Sequence, residues 1–108
     1  MSKDLEISVL FDFYAELLTE NQRNMLDLYY NSDLSLAEIA SDAGISRQGV
    51  QDNIRRARIQ LEMFEGKLGL AKKFKCINTN LDKLEKRLLQ ITDEQEVFNI
   101  IEDIREYI

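Results

Sequence analysis

The chain is poor in several residue types on which whole classes of protein depend. Its 108 residues include no proline and only four glycines, so few of the turn signals typical of a β-rich fold are present. With Cys76 as the one cysteine and no histidine, neither an internal disulfide nor a structural zinc site is expected. Without a histidine, a glycine-rich phosphate loop or a nucleophile–base pair, we expect no enzyme and no cofactor.

Long hydrophobic runs are also missing. No apolar stretch approaches the roughly 18 residues that a membrane-spanning helix needs, and no signal peptide pattern is visible. Hydrophobic residues make up 44% of the chain and charged residues 31%, which is typical of a soluble, well-packed protein. The expectation is a cytoplasmic protein without membrane insertion, long enough for one compact domain overall.

Charge is unevenly distributed along the chain, whose net value is −6. Residues 1–45 carry two basic and nine acidic side chains, residues 46–90 carry eleven basic and five acidic, and residues 91–108 carry one basic and six acidic. A local positive field can attract a polyanionic partner even when the whole chain is acidic. The segment from residue 46 to residue 90 is therefore the candidate for such contacts.

Apolar residues recur at spacings of three and four, which predicts an all-α protein. The first helix is expected at about residues 5–18, and a second follows it and ends at about residue 30. A third is expected at residues 36–43, and a fourth starts at about residue 46. Ser or Thr followed three residues later by Glu or Gln is the pattern of a capping box, and it occurs three times: Thr19 with Gln22, Ser35 with Glu38, and Thr92 with Gln95. Gly44 suits the left-handed position that ends a helix.

The C-terminal third has a different pattern. From Leu70 to Ile91 apolar residues alternate steps of four and three, as in a coiled-coil seam. Gly66 and Gly69 predict a break before this helix, and another helix follows Thr92. We expect an antiparallel hairpin at residues 67–108, pairing a basic helix with an acidic one. Because a two-helix hairpin covers one side of each member, this hairpin is a candidate dimerisation element, and a homodimer is expected.

The stretch EIASDAGISRQGVQDNIRRA, residues 38–57, has the pattern of a helix-turn-helix motif within about residues 35–58. Ala40 supplies a small residue where the two helices cross, and Gly44 supplies the turn. Val50 and Ile54 anchor the second helix. An ordinary helical hairpin is the alternative interpretation of the same stretch.

If the motif binds DNA, the second helix lies in the major groove and presents the side chains that point away from its apolar face. Arginine can pair with guanine and glutamine with adenine. The candidate base-reading residues are Arg47, Gln48, Gln51, Asp52 and Arg55, and the candidate phosphate contacts are Ser46, Arg56 and Arg58. The Asp52 carboxylate opposes DNA binding, because it would repel phosphate.

Residues from about 19 to 61 resemble region 4 of bacterial sigma factors. The segments LFDFYAELLTENQRNMLDLYYNSDLSLAEIA and GISRQGVQDNIRRARIQLEMFEGKLGL resemble the YlxM family more closely. The resemblance implies a small regulatory helix-turn-helix protein, linked to the signal recognition particle by gene neighbourhood, with no catalytic residues. Gly49 departs from the expected pattern, because a small alkyl side chain is commoner at a helical position.

The predicted fold is thus a helical bundle at residues 1–66, containing a sigma-region-4-like helix-turn-helix, followed by the C-terminal helical hairpin. Three functions fit this organisation. The first is a regulator that binds duplex DNA. The second is an accessory factor that binds the RNA or the GTPase of the signal recognition particle. The third is a protein-interaction module that does not bind nucleic acid.

Overall fold

The computed structural model describes residues 5–108, and helices account for most of them. No strand occurs within this range, which confirms the all-α prediction. The chain divides into two compact units, with the first ending at Gly69 and the second comprising Leu70–Ile108. The helices are α1 Leu5–Tyr14, α2 Glu20–Leu26, α3 Leu36–Ala43, α4 Arg47–Leu68, α5 Leu70–Ile91 and α6 Gln95–Arg105.

Two of the three predicted capping boxes are present. At the start of α2 the backbone N–H of Gln22 donates to Thr19 Oγ1, and the backbone N–H of Thr19 donates to Gln22 Oε1, both at 3.2 Å. Ser35 and Glu38 make the same reciprocal pair at the start of α3, at 3.1 and 3.2 Å. Each pair satisfies two backbone groups that a helix start leaves without intrahelical partners.

The third predicted capping box, Thr92 with Gln95, is wrong. Glu94 occupies the position before α6 and makes no side-chain capping bond. Thr92 Oγ1 instead accepts the Glu94 N–H at 3.1 Å, and the Gln95 side chain donates to Asn99 at 3.0 Å. A threonine can bond the backbone two residues ahead, and here that local turn takes the hydroxyl that a cap would need.

Several predicted helix ends also differ. Gly66 does not end a helix, because α4 continues through it. The helix ends where Gly69 adopts the left-handed conformation, with φ of 64°. The first two helices each finish in a non-α turn, α1 in a 3₁₀ turn at Ala15–Leu17 and α2 in a π-helical turn at Asp27–Asn31. A 3₁₀ turn is common at a helix end and a π-helical turn is rare, and apolar spacing reveals neither.

Helix α4 is the centre of the first unit, because α1, α2 and α3 all pack against it. Its contribution to the core is one stripe of four side chains at steps of four and three. These side chains are at most 1% exposed, and they are Val50, Ile54, Ala57 and Leu61. The other helices supply the remainder of this core, namely Ile7, Leu10, Phe11, Tyr14, Leu18, Met25, Leu26, Tyr29, Leu36, Ile39 and Ala40.

The second unit is the helical hairpin of α5 and α6, in which Leu81 and Ile101 are buried. Arg105 of α6 lies 3.1 Å from both the Asp82 and the Glu85 carboxylates of α5. A basic α5 was expected to pair with an acidic α6. At this point the charges are reversed, because acidic residues of α5 contact a basic residue of α6. The acidic turn of α5 lies beside Arg105 because the short 92–94 connection sets the register of the two helices.

A hydrogen bond between a tyrosine at the end of α1 and a glutamate near the C-terminus of α4 joins these two helices. The buried Tyr14 hydroxyl donates to Glu65 Oε1 at 2.5 Å, and its ring contacts Phe64 with centroids 6.0 Å apart. We predict that Tyr14→Phe lowers the free energy of unfolding by about 1–3 kcal/mol, because the part-buried Glu65 carboxylate loses the hydrogen bond from the tyrosine hydroxyl. Urea denaturation measures this loss. Tyr107→Phe, at an 87% exposed position, is the control, and equal stability of the two variants would contradict the role of the bond.

Replacing either of two glycines in the first unit by alanine is expected to change the stability of the protein, in opposite directions for the two positions. Gly44 has φ of 69°, where a Cβ is strained, so Gly44→Ala is expected to lower stability by about 1–2 kcal/mol. Gly66 lies in α4 with nothing within 4 Å of an added Cβ, so Gly66→Ala is expected to raise stability by about 0.5–1 kcal/mol. Thermal or urea unfolding of the two single variants gives both signs. Destabilisation by Gly66→Ala would contradict the continuous helix.

Candidate nucleic-acid interface

Helices α3 and α4 with the three residues between them form the helix-turn-helix. Gly44 N–H and Ile45 N–H both donate to the Ala40 carbonyl, at 3.0 and 3.2 Å, which closes the end of α3. Ser46 then caps α4, because its Oγ accepts the Gly49 N–H at 2.9 Å. These local bonds at the end of one helix and the start of the next hold the two helices at a defined angle.

The structure also gives a reason for glycine at position 49. A Cβ placed there would lie 3.2 Å from Ser46 Oγ and 3.6 Å from Ile45 Cδ1. The cap hydroxyl would be in tight contact with an alanine methyl group, whereas the isoleucine side chain would lie at an ordinary contact distance. The glycine that departs from the expected pattern therefore makes room for the cap of the same helix.

The outer face of α4 carries the predicted base-reading residues. Arg47, Gln48, Gln51 and Arg55 are all exposed, whereas Val50 on the same turns is completely buried. Successive residues of a helix are about 100° apart, so Gln48, Gln51 and Arg55 fall on one side of α4, opposite the buried stripe. The structure brings these side chains together on one surface, and Arg47 lies beside them at the first turn.

Asp52 lies between two of these residues and is bonded to both. Gln48 Nε2 donates to Asp52 Oδ1 at 3.2 Å, and an Arg55 guanidinium nitrogen lies 3.6 Å from the same oxygen. The carboxylate is thus not a bare negative charge, because it is partly neutralised by Arg55. The spacings of four and three residues could have indicated this network, since they place side chains on neighbouring turns.

The candidate phosphate contacts flank this face. Arg56 is exposed and Arg58 is half-buried, and two residues along a helix are separated by about 200°. The two guanidinium groups therefore lie toward opposite edges of the outer face. Ser46 is exposed at the N-terminus of α4, and its hydroxyl can still donate a proton while its oxygen accepts the Gly49 N–H.

The outer face of α4 continues beyond Arg55 as an apolar surface that was not predicted from the sequence. Ile59 and Met63, at 58% and 43% exposure, follow Arg55 on the same side of α4. A shallow depression there is lined by the side chains of Gln51, Arg55, Arg58, Ile59 and Glu62. The sequence signal for this surface is the four-residue spacing of Ile59 and Met63, two apolar residues that do not belong to the buried stripe of α4. The outer face of α4 thus changes along its length from polar and basic to apolar.

Carboxylates on the neighbouring helix shape the electrostatics of the motif. Glu38 and Asp42 of α3 are exposed, and the Glu38 carboxylate is held at the start of α3 by the Ser35 N–H. Positive charge in the helix-turn-helix is thus concentrated on α4. Within residues 5–108 no group of three or more acidic, cysteine or histidine side chains could hold a metal ion, and no helix is long and apolar enough to span a membrane.

Comparison with known proteins gives the same motif. A family described as "Putative helix-turn-helix protein, YlxM / p13 like" matches residues 1–104. A UPF0122 protein of Thermoanaerobacter sp. (strain X514) is 45% identical over 103 residues, covering 93% of this chain and 88% of the relative.

Further relatives with the same family name extend this result. One from Shouchella clausii is 49% identical over 88 residues, covering 82% of this chain and 81% of its own length. One from Halalkalibacterium halodurans is 40% identical over 104 residues, covering 96% and 95%. The family is described by its helix-turn-helix and not by a reaction. The chain belongs to this YlxM/p13-like family of helix-turn-helix proteins.

Proposed function

We propose that this chain is a regulatory protein that binds duplex DNA with the N-terminal half of α4. The observation that carries the proposal is the two-sided character of this helix. Its inner stripe is completely buried, and its outer face presents Arg47, Gln48, Gln51 and Arg55 to solvent. A helix fixed by its inner face and polar on its outer face is the element that helix-turn-helix proteins insert into DNA.

The dimensions and chemistry of the face suit the major groove. The groove is about 12 Å wide, which accommodates a helix of about 10–12 Å diameter. Arg47 and Arg55 can each pair with guanine, and Gln48 and Gln51 with adenine, while Arg56 and Arg58 on opposite edges can reach the two phosphate backbones. The resemblance of residues 19–61 to sigma-factor region 4 supports the same docking. Bacterial DNA lies in the cytoplasm, so this function entails a cytoplasmic protein.

A second candidate function is binding to the RNA or the GTPase of the signal recognition particle. The observation that favours it is the basic character of α4 over several turns, where Arg55, Arg56 and Arg58 extend from the outer face to both of its edges. A-form RNA does not admit a helix into its deep, narrow major groove, so arginines there would bind backbone phosphates. Tighter binding to the particle's RNA than to duplex DNA at equal salt would favour this candidate over the first.

Replacing Arg47 and Arg55 together by alanine tests the docking. We expect the double variant to bind DNA from upstream of its own operon at least about 30-fold more weakly, because two arginine contacts of about 1–3 kcal/mol each contribute at least about 2 kcal/mol together. Fluorescence anisotropy at two salt concentrations measures both affinity and its salt dependence. The slope of log affinity against log salt should fall by about 0.9 for each phosphate that the variant no longer neutralises.

Lys67→Ala is the matched control for this experiment, since Lys67 is an exposed basic residue near the other end of α4. Its affinity should stay close to that of the wild type. Unchanged affinity in the double variant would refute the proposed docking. Absence of binding by the wild type at low salt would refute the DNA function itself.

Asp52→Asn tests the part that the carboxylate plays in binding. Removing the charge from the outer face should raise DNA affinity by about three- to tenfold, because the repulsion of phosphate is removed and Arg55 is released from its ion pair. Asp12→Asn is the control, since Asp12 is an exposed aspartate of α1. An affinity that falls in Asp52→Asn would mean that the carboxylate aids binding by holding Gln48 and Arg55 in place.

A further inference from the structure

The hairpin of the second unit leaves much of its apolar surface in contact with solvent. Along α5 the exposed stripe consists of Ile77, Leu84 and Ile91, at seven-residue steps and 41–66% exposure. Along α6 it consists of Ile100 and Ile104, and Tyr107 continues it just beyond the end of the helix, at 41–87% exposure. Within residues 70–108, all of which the structure describes, Leu81 and Ile101 are the only buried hydrophobic side chains. Contiguous apolar surface of this kind marks an interaction site.

Both stripes lie on the same side of the hairpin. The contacts of Arg105 with Asp82 and Glu85 show the direction in which each helix faces the other. At about 100° per residue, each stripe then lies about 130° away from that direction, in the same rotational sense along its own helix. Because the helices are antiparallel, equal rotations place both stripes on one face. We call this surface the hairpin face.

The residues that border the hairpin face have opposite charges on the two helices. Beside the α5 stripe lie Lys73 and Arg87, and beside the α6 stripe lie Glu96 and Asp103. Arg87 donates to the neutral Gln90 side chain at 3.2 Å. Within the described residues, neither Glu96 nor Asp103 takes part in an ion pair, so both carboxylates can pair with an external cation.

We propose that the hairpin face packs against the hairpin face of a second copy of the chain, with α5 of each copy lying over α6 of the other. The product is an antiparallel four-helix bundle with a two-fold axis parallel to the helices. Such an isologous contact buries both stripes of both copies at once. This inference concerns the second unit and does not depend on DNA binding by the first.

Charge and register decide between this arrangement and its alternative. If α5 lay over α5 of the partner, Lys73 and Arg87 would meet the same basic residues, and like charges would repel. With α5 over α6, Arg87 meets the acidic edge of the partner, whereas Lys73 lies beyond the end of α6 and meets neither carboxylate. The hairpin register, set by Arg105 beside Asp82 and Glu85, puts Arg87 at a height between Glu96 and Asp103. At about 1.5 Å per residue Arg87 is level with about residue 101 or 102, so it meets Asp103 of the partner, whereas Glu96 lies about 8 Å away along the helix.

Sedimentation equilibrium of the full chain tests the proposal, with circular dichroism to verify that each variant is folded. The wild type should sediment at twice its 12.6 kDa chain mass. Leu84→Glu should raise the dimer dissociation constant by about a hundredfold, because it buries a charge without a partner. The matched control is Leu89→Glu, a 64% exposed leucine about 140° around the same helix from Leu84, which should change it by less than about threefold.

The charge pairing is tested separately. Arg87→Glu should raise the dissociation constant by about tenfold, and adding Asp103→Arg in the same chain should restore most of the affinity. Lys86→Glu, at an exposed position away from the hairpin face, is the control. A monomeric wild type at millimolar concentration, or equal effects of Leu84→Glu and Leu89→Glu, would overturn the interface. Failure of Asp103→Arg to restore association would overturn the placement of α5 over α6.

Discussion

The first unit depends on the burial of one stripe of α4. Three helices pack against Val50, Ile54, Ala57 and Leu61, which makes this stripe the common contact of the unit's other described helices. Ala57 is completely buried, and in a closely packed core an added methylene displaces the surrounding side chains. Because the same helix carries the candidate interface on its other side, the core residues determine which side chains face outward. Stability and function are thus coupled through a single helix.

The two faces of α4 differ in how tightly the structure constrains them. The inner stripe is fixed by packing, whereas the outer residues are fixed by a few local bonds, chiefly those at Asp52 and at the Ser46 cap. Substitutions on the outer face can therefore alter binding with little loss of stability, as is usual for exposed positions. This separation makes a helix-turn-helix suitable for different partners, so the family resemblance alone does not identify the ligand.

How much could be predicted from the sequence varied with the range of the interaction. The caps at Thr19 and Ser35 involve residues three apart, so their pattern was sufficient. Thr92 shows the same pattern but bonds the backbone two residues ahead, because two local arrangements compete for one hydroxyl. The contacts of Tyr14 with Glu65 span 51 residues, and periodicity carries no information at that distance. In the site, spacing identified the outer face, but the shared oxygen of Asp52 and the space around Gly49 required coordinates.

The bonds at Asp52 have a further consequence for the entropy of binding. The backbone of α4 is ordered before any ligand arrives, so association would immobilise side chains only, at up to about 1.5–2 kcal/mol for each long one. Gln48 and Arg55 have already lost part of this freedom, because one carboxylate oxygen holds both. Calorimetry of any complex at this face should accordingly show a small heat-capacity change, unlike the large negative change of a segment that folds as it binds.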